Sequence, residues 1–262
     1  MKSEVIFDDG THKWIVMGRD NTKKEKVIDT NEYVIIDNNE AMLLDPGGIE
    51  IFPAVLTELT KFVEINKIRS IFASHQDPDI SSSLAMWLDL VPNVNIYAPW
   101  IWIGFISHFG MGTDFKLNPI PDEGMELRVG NISVYCVPAH FCHSAGNFSL
   151  FDPKANILFS GDIGAGLVPD NYPLIVDNFN EHTQYMEGFH KRWMPSSIYL
   201  KAWIKRVRAL NPSIIAPQHG SIFMGDNVEK FLNWLDTFEV GVINLGNESS
   251  DFNNSIWMKW KK

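Results

Sequence analysis

Six side chains of metal-ligating type stand along this 262-residue chain in the order a two-metal pocket needs. They are His75, Asp77 and Asp79 in SHQDPDI, His143 in HFCHSAGN, Asp162 in FSGDIGAG and His219 in APQHG. Each run follows a short apolar stretch of β type, which places each where a strand ends. Three imidazoles and three carboxylates converging there would bind two cations. Buried carboxylates without cations carry a heavy desolvation penalty, so the ordered set favours metal over a solvated turn. A structural zinc site would use thiolates in a closed tetrahedron. Mixed imidazole and carboxylate donors without sulfur suit iron or manganese at least as well as zinc.

The elements that must position these residues follow from the apolar pattern. HKWIVMG, EYVIID and EAMLLDPG read as strands, with DNNE joining the last two as a hairpin. EIFPAVLTELTKFVEIN has apolar residues at helical spacing, with Pro53 early, and predicts one helix. IRSIFASH is a strand running into the first cluster, DISSSLAMWLDLVP a helix just past it, and NVNIYAPW a further strand. In the second half, MELRVGNISVYCVPAH and NFSLFDPKANILFSGD read as hairpins that end at ligand-type residues. EHTQYMEGFHKRWM, SSIYLKAWIKRVRAL and VEKFLNWLDTF read as helices, PSIIAPQHG as a strand, and the chain closes in a polar tail ending WMKWKK. No low-complexity linker interrupts this order. The expectation is one α/β domain over residues 1–262, with two sheets stacked inside and helices outside. The aromatic, glycine-rich segment WIWIGFISHFGMG, residues 100–112, reads equally as an apolar lid, a partner surface or core.

Composition narrows the partners. A net charge of −10 argues against nucleic acid and anionic membrane surfaces. No stretch is long and apolar enough to span a bilayer, and MKSEVIFDDGTHKW lacks a signal-peptide core. Cys136 and Cys142, the two cysteines, form no Cys-x-x-Cys pair and read as small, buried, reduced side chains, which makes a cytoplasmic location the default. His12, His108, His182 and His190 read as surface or packing residues. Most of the nine tryptophans read as core or interface, with Trp100 and Trp102 expected to keep the site dry. SGDIGAG lacks the surroundings of a phosphate loop and reads as tight-turn glycine.

Taken together, LLDPG, SHQDPDI, HSAGN, FSGD and MPSS with APQHG resemble, in order, the motifs of the metallo-β-lactamase superfamily. Within it, the chain resembles the diiron domain of the flavodiiron proteins, over roughly residues 12–240. The resemblance implies a four-layer αββα sandwich of two mixed β-sheets flanked by helices. It implies that His75, Asp77 and His143 bind one metal, that Asp79 and His219 bind the other, and that Asp162 bridges them. Such ions sit about 3.5–4 Å apart, and a shared carboxylate offsets their repulsion. The spacing to the glycine of HSAG makes His143 the ligand and leaves His140 to orient a ligand or to pack in the core.

Two departures from the family pattern bear on function. Asp77 stands where the family has glutamate, and Ile80 where it has a further histidine ligand, which leaves open positions at the second metal. No flavin-binding segment is visible, and GFHKRWMP places Phe189 about where the reductases carry tyrosines, so a proton donor is missing. The resemblance therefore narrows to the stand-alone oxygen-binding diiron proteins, a branch linked to oxygen sensing in bacterial chemotaxis. It implies two iron ions, no flavin, dioxygen bound as a bridging peroxo species, a signalling partner and a homodimer. Two alternatives remain: a dioxygen or nitric oxide reductase fed by an external electron donor, and a binuclear zinc hydrolase.

Overall fold

Alternation along the strands sends successive side chains to opposite faces. In β2 (His12–Gly18), Trp14 and Val16 join one apolar cluster while Ile15 and Met17 join another. β3 (Glu32–Asp37) and β4 (Glu40–Leu44) divide in the same way, Tyr33, Ile35, Met42 and Leu44 against Val34, Ile36, Ala41 and Leu43. Both faces of these strands are covered.

The computed structural model describes residues 1–18, 20, 27–110 and 116–241. One sheet has seven strands in sequence order: β1 (Lys2–Asp8), β2, β3, β4, β5 (Ile68–Phe72), β6 (Asn95–Pro99) and β7 (Leu117–Ile120). Its pairs are antiparallel through β4 and parallel from β4 to β7. The other sheet has six strands, ordered β13-β12-β11-β10-β9-β8, from β8 (Glu126–Val129), β9 (Ile132–Pro138), β10 (Phe148–Asp152), β11 (Ile157–Gly161), β12 (Ile214–Pro217) and β13 (Phe223–Met224). Only β11 and β12 run parallel in it.

Helices cover the outer faces. α1 (Phe52–Leu59), α2 (Pro78–Ser81) and α3 (Leu84–Leu90) pack on the first sheet, and α4 (Ile103–Ile106) contributes Ile106. α5 (Phe179–Trp193), α6 (Ser197–Leu210) and α7 (Asp226–Thr237) pack on the second. The middle cluster, with Trp14, Tyr33, Phe148 and Phe159, fills the space between the sheets. This is the expected four-layer αββα sandwich.

Several details depart from the pattern reading. The helix expected over 50–66 ends at Leu59, where Phe62 and Val63 turn inward onto the core. The helix expected after the first cluster divides into α2 and α3 at Ser82 and Ser83, whose hydroxyls donate to the carbonyls of Pro78 and Gly47. β1, β7 and β13 had no clear alternating signature: β1 and β7 lie at sheet edges and β13 has two residues. The 100–112 segment is a mixture. Ile106 is core, Trp100, Ile101 and Phe105 are exposed, and residues 111 and 112 lie outside the described part, as does the tail ending WMKWKK. Among the described residues no helix is long and apolar enough to cross a membrane.

Candidate metal centre

All four ligand-type runs stand at strand ends on one side of the sandwich: His75 past β5, His143 past β9, Asp162 past β11 and His219 past β12. Hydrogen bonds between loops bring these ends together. Phe148 N donates to Ser74 O at 3.1 Å, tying β5 to β10 across the two sheets. Asn31 Nδ2 donates to Pro217 O and Gly220 O at 3.1 and 2.9 Å, and the Tyr33 hydroxyl donates to Pro217 O at 2.9 Å. Gln218 N donates to Gly161 O at 2.8 Å and Gly166 N to His219 O at 3.3 Å, which draws the His219 turn beside the Asp162 turn. That approach requires Gly220: its φ is +83°, and a Cβ there would stand 2.8 Å from the backbone of Gly166. The glycines of SGDIGAG likewise turn the chain at positive φ, at Gly161 and Gly164.

The candidate ligand atoms converge. Those of His75, Asp77, His143 and Asp162 all lie within 4.8 Å of one another. Asp162 Oδ2 is 2.7 Å from His143 Nε2 and 3.6 Å from His75 Nε2, and Asp77 Oδ2 is 3.5 and 3.6 Å from His75 and His143 Nε2. On the other side, Asp162 Oδ1 is 3.5 Å from His219 Nε2, which is 3.3 Å from Asp79 Oδ2. The two oxygens of one buried carboxylate thus face two different groups.

The histidines are oriented from behind. Ser74 Oγ donates to Asp45 Oδ2 at 2.6 Å and so accepts from His75 Nδ1 at 2.8 Å. His219 Nδ1 donates to Asp29 O at 2.9 Å. Both arrangements turn Nε2 toward the carboxylates. Among the described residues His75 Nε2 and Asp162 Oδ1 are buried without a hydrogen bond, and such atoms facing one another across a histidine–carboxylate cluster suit an ion or an ordered water. The electrostatics agree. Burial alone would lower His75 and His219, yet Asp162 and the nearby Asp77 or Asp79 carboxylates lift them to about 9 and about 10. Asp162 is held far below the usual carboxylate range, against burial, by His75 and His219. Burial pushes the Asp45 carboxyl up to about 7. The pocket demands positive charge between its ligand atoms, and the donor set fits iron, manganese or zinc.

The site opens into a cavity of about 320 Å³ whose remaining walls are apolar: Val27, Ile28, Pro78, Leu167, Phe189 and Trp193. This corrects the expectation for Trp100 and Trp102. Trp100 is exposed and donates to Asp122, and Trp102 packs beside Gly146 and Phe105, so the aromatic wall is Phe189 and Trp193. Phe189 stands against His143, where the sequence placed it. Ile80 is fully buried and packs in the outer core of the first sheet. His140 bonds Asp122 O and packs on Phe148, a packing role. His12, His182 and His190 are buried, His108 is exposed, and both cysteines are buried and free. The sequence reading gave no role to Ser74, Asp29 or Trp193. Asp45 sits in LLDPG, and only that motif hinted at it.

Comparison with known proteins agrees with this architecture. A structure described as the peroxy diiron species of chemotaxis sensor ODP superposes with a TM-score of 0.82 at 39% identity, over 92% of this chain and 97% of that one. The apo state of chemotaxis sensor ODP from T. denticola gives 0.80 at 40% identity, over 92% and 96%. A point mutant of the flavo di-iron protein from Thermotoga maritima shares the fold, with a TM-score of 0.76 at 22% identity over 89% of this chain and 60% of that one. Among curated sequences, an uncharacterised Methanocaldococcus jannaschii protein and a putative diflavin flavoprotein of Nostoc are each 22% identical, and the chain spans 52% and 35% of their lengths. The family model for the ODP family beta lactamase matches residues 28–220, a span that holds all six candidate ligands, and the chain belongs to that family.

Proposed function

We propose that this chain is a non-haem diiron protein that binds dioxygen and acts as an oxygen sensor, passing the signal to a partner protein in chemotaxis. The observation that carries the reading is the division of Asp162, with Oδ2 toward His143 and His75 and Oδ1 toward His219. His75, Asp77 and His143 would hold one iron, Asp79 and His219 the other, and Asp162 would bridge. Bound ferrous iron with open coordination positions supplies dioxygen affinity. Ser74 and Asp29 fix the ring nitrogens that face inward. Phe189, Trp193, Leu167 and Ile28 present apolar surface to the cavity, which suits a small neutral gas. Similarity to the chemotaxis sensor, at about twofold the identity shared with the flavo di-iron protein, supports sensing over turnover. The reading treats the chain as a single metallo-β-lactamase-like unit working in the cytoplasm as a homodimer.

Metal content and the optical spectrum of anaerobically purified protein, before and after air, test it. Two irons per chain and a persistent new visible charge-transfer band are expected. A rapid fade to a featureless oxidised spectrum would favour a dioxygen or nitric oxide reductase. Two zincs and no response to air would sink the iron reading and favour a hydrolase.

A further inference from the structure

The three histidines of the pocket are not held alike. His75 and His219 each anchor Nδ1 in a hydrogen bond, to Ser74 Oγ and to Asp29 O. Among the described residues no hydrogen bond reaches Nδ1 of His143. Metal-bound histidines almost always fix the ring through that second nitrogen; with no described protein group there, the protein's own hold on this ring is side-chain packing against other rings. The indole of Trp193 meets the His143 ring edge-on at 5.5 Å and 61°, and Phe189 meets it at 5.7 Å and 81°. Phe189 and Trp193 lie one helical turn apart on α5 and stack at 6.1 Å and 22°. They form one wall, and its outer half, Trp193, is 56% exposed at the cavity mouth.

We infer that Trp193 is a positioning residue for His143: its indole, backed by Phe189, sets the plane of the imidazole by packing and shields that side of the pocket from water and anions. The inference rests on the two-metal reading of the pocket. It explains why a large apolar side chain stands half in solvent beside a buried charged cluster. It also makes His143 the member of the set that depends on side-chain packing, and so the most easily displaced.

Cobalt(II) serves as the probe, because its visible bands report coordination without dioxygen chemistry. The full chain, freed of metal, is titrated anaerobically with cobalt(II) and then with azide, as wild type, Trp193→Ala, Trp193→Phe and Ile198→Ala. Ile198, 72% exposed on the next helix, controls for loss of surface apolar area. Wild type, Trp193→Phe and Ile198→Ala are expected to bind two cobalt ions with the same bands. Trp193→Ala is expected to bind one of the two about 10-fold or more weakly, in the range seen when a ligand loses its support. Its bands should shift, and azide should perturb them at lower concentration. Rescue by phenylalanine separates ring packing from general damage to α5. If wild type binds two ions and Trp193→Ala matches it in affinity, bands and azide response, this inference falls and the two-metal reading stands. If wild type binds none, the two-metal reading falls and takes the inference with it.

Discussion

Two clusters of histidine and aspartate lie at opposite ends of β10, built from the same residue types and completed in opposite ways. At the end near Asp152, His12 is fully buried, with Nε2 2.7 Å from Asp152 and Nδ1 3.3 Å from Asp37. There protein donors surround both carboxylates. Trp14 Nε1 and the backbone N–H groups of Lys154 and Ala155 donate to Asp152, while Asn38, Asn131 and the Lys154 ammonium donate to Asp37. At the Phe148 end, Asp162 Oδ1 is buried and accepts no hydrogen bond from the described residues. Burial demands that charge be compensated. The first cluster compensates its carboxylates from within and links the two sheets, and the second leaves a carboxylate oxygen open to an ion. The contrast lies in the carboxylates and not in the rings: among the described residues His12 Nδ1 and His75 Nε2 both lack a hydrogen bond, while only the second cluster leaves a buried carboxylate oxygen, Asp162 Oδ1, without one.

Substitutions can break this contrast. Asp162→Ala removes the one carboxylate that faces both groups, so metal content should fall from two ions per chain to one or none, checked by elemental analysis. Retention of two ions would end its bridging role. His12→Ala should leave metal content unchanged and destabilise the fold by about 3–5 kcal/mol, the usual result of removing one partner from a buried pair; chemical denaturation of the metal-free protein measures it. A change in metal stoichiometry there would mean that the two ends are not independent. Ser74→Ala frees the His75 ring and should weaken metal binding by about 10–100-fold, read by competition with a chelator, while an affinity equal to wild type would remove Ser74 from the site.

Glu32 is an intermediate case that sharpens the comparison. It is buried beside Gly47, and burial, only partly offset by the Thr30 hydroxyl, pushes its carboxyl from 4.5 up to about 8. In the folded protein it keeps a proton that the unfolded chain releases near 4.5. Stability is therefore fully present below that pH and declines as pH rises toward about 8. Thermal melts of metal-free protein at pH 5 and pH 8.5 should show a drop in wild type that Glu32→Gln reduces, by an amount on the order of a few degrees. Equal drops in both proteins would show that Glu32 does not titrate in this window.

The amino-acid sequence by itself determined the layers and the ligand types. Apolar runs in HKWIVMG and EYVIID marked strands, and the breaks after IRSIFAS, ILFSG and SIIAP placed polar residues at strand ends. These are local properties, carried by residues close in the chain. Tertiary structure decided what lies behind and around the ligands. Ser74 supports His75 only because Asp45, 29 residues away, accepts the hydrogen bond of its hydroxyl. Asp29 reaches His219 across 190 residues, and Trp193 reaches His143 from a helix whose own pattern marks it only as amphipathic. The His12 cluster was invisible for the same reason, since Asp152 lies 140 residues away. Such partners meet only when the two sheets close on each other, and no spacing along the chain records that contact.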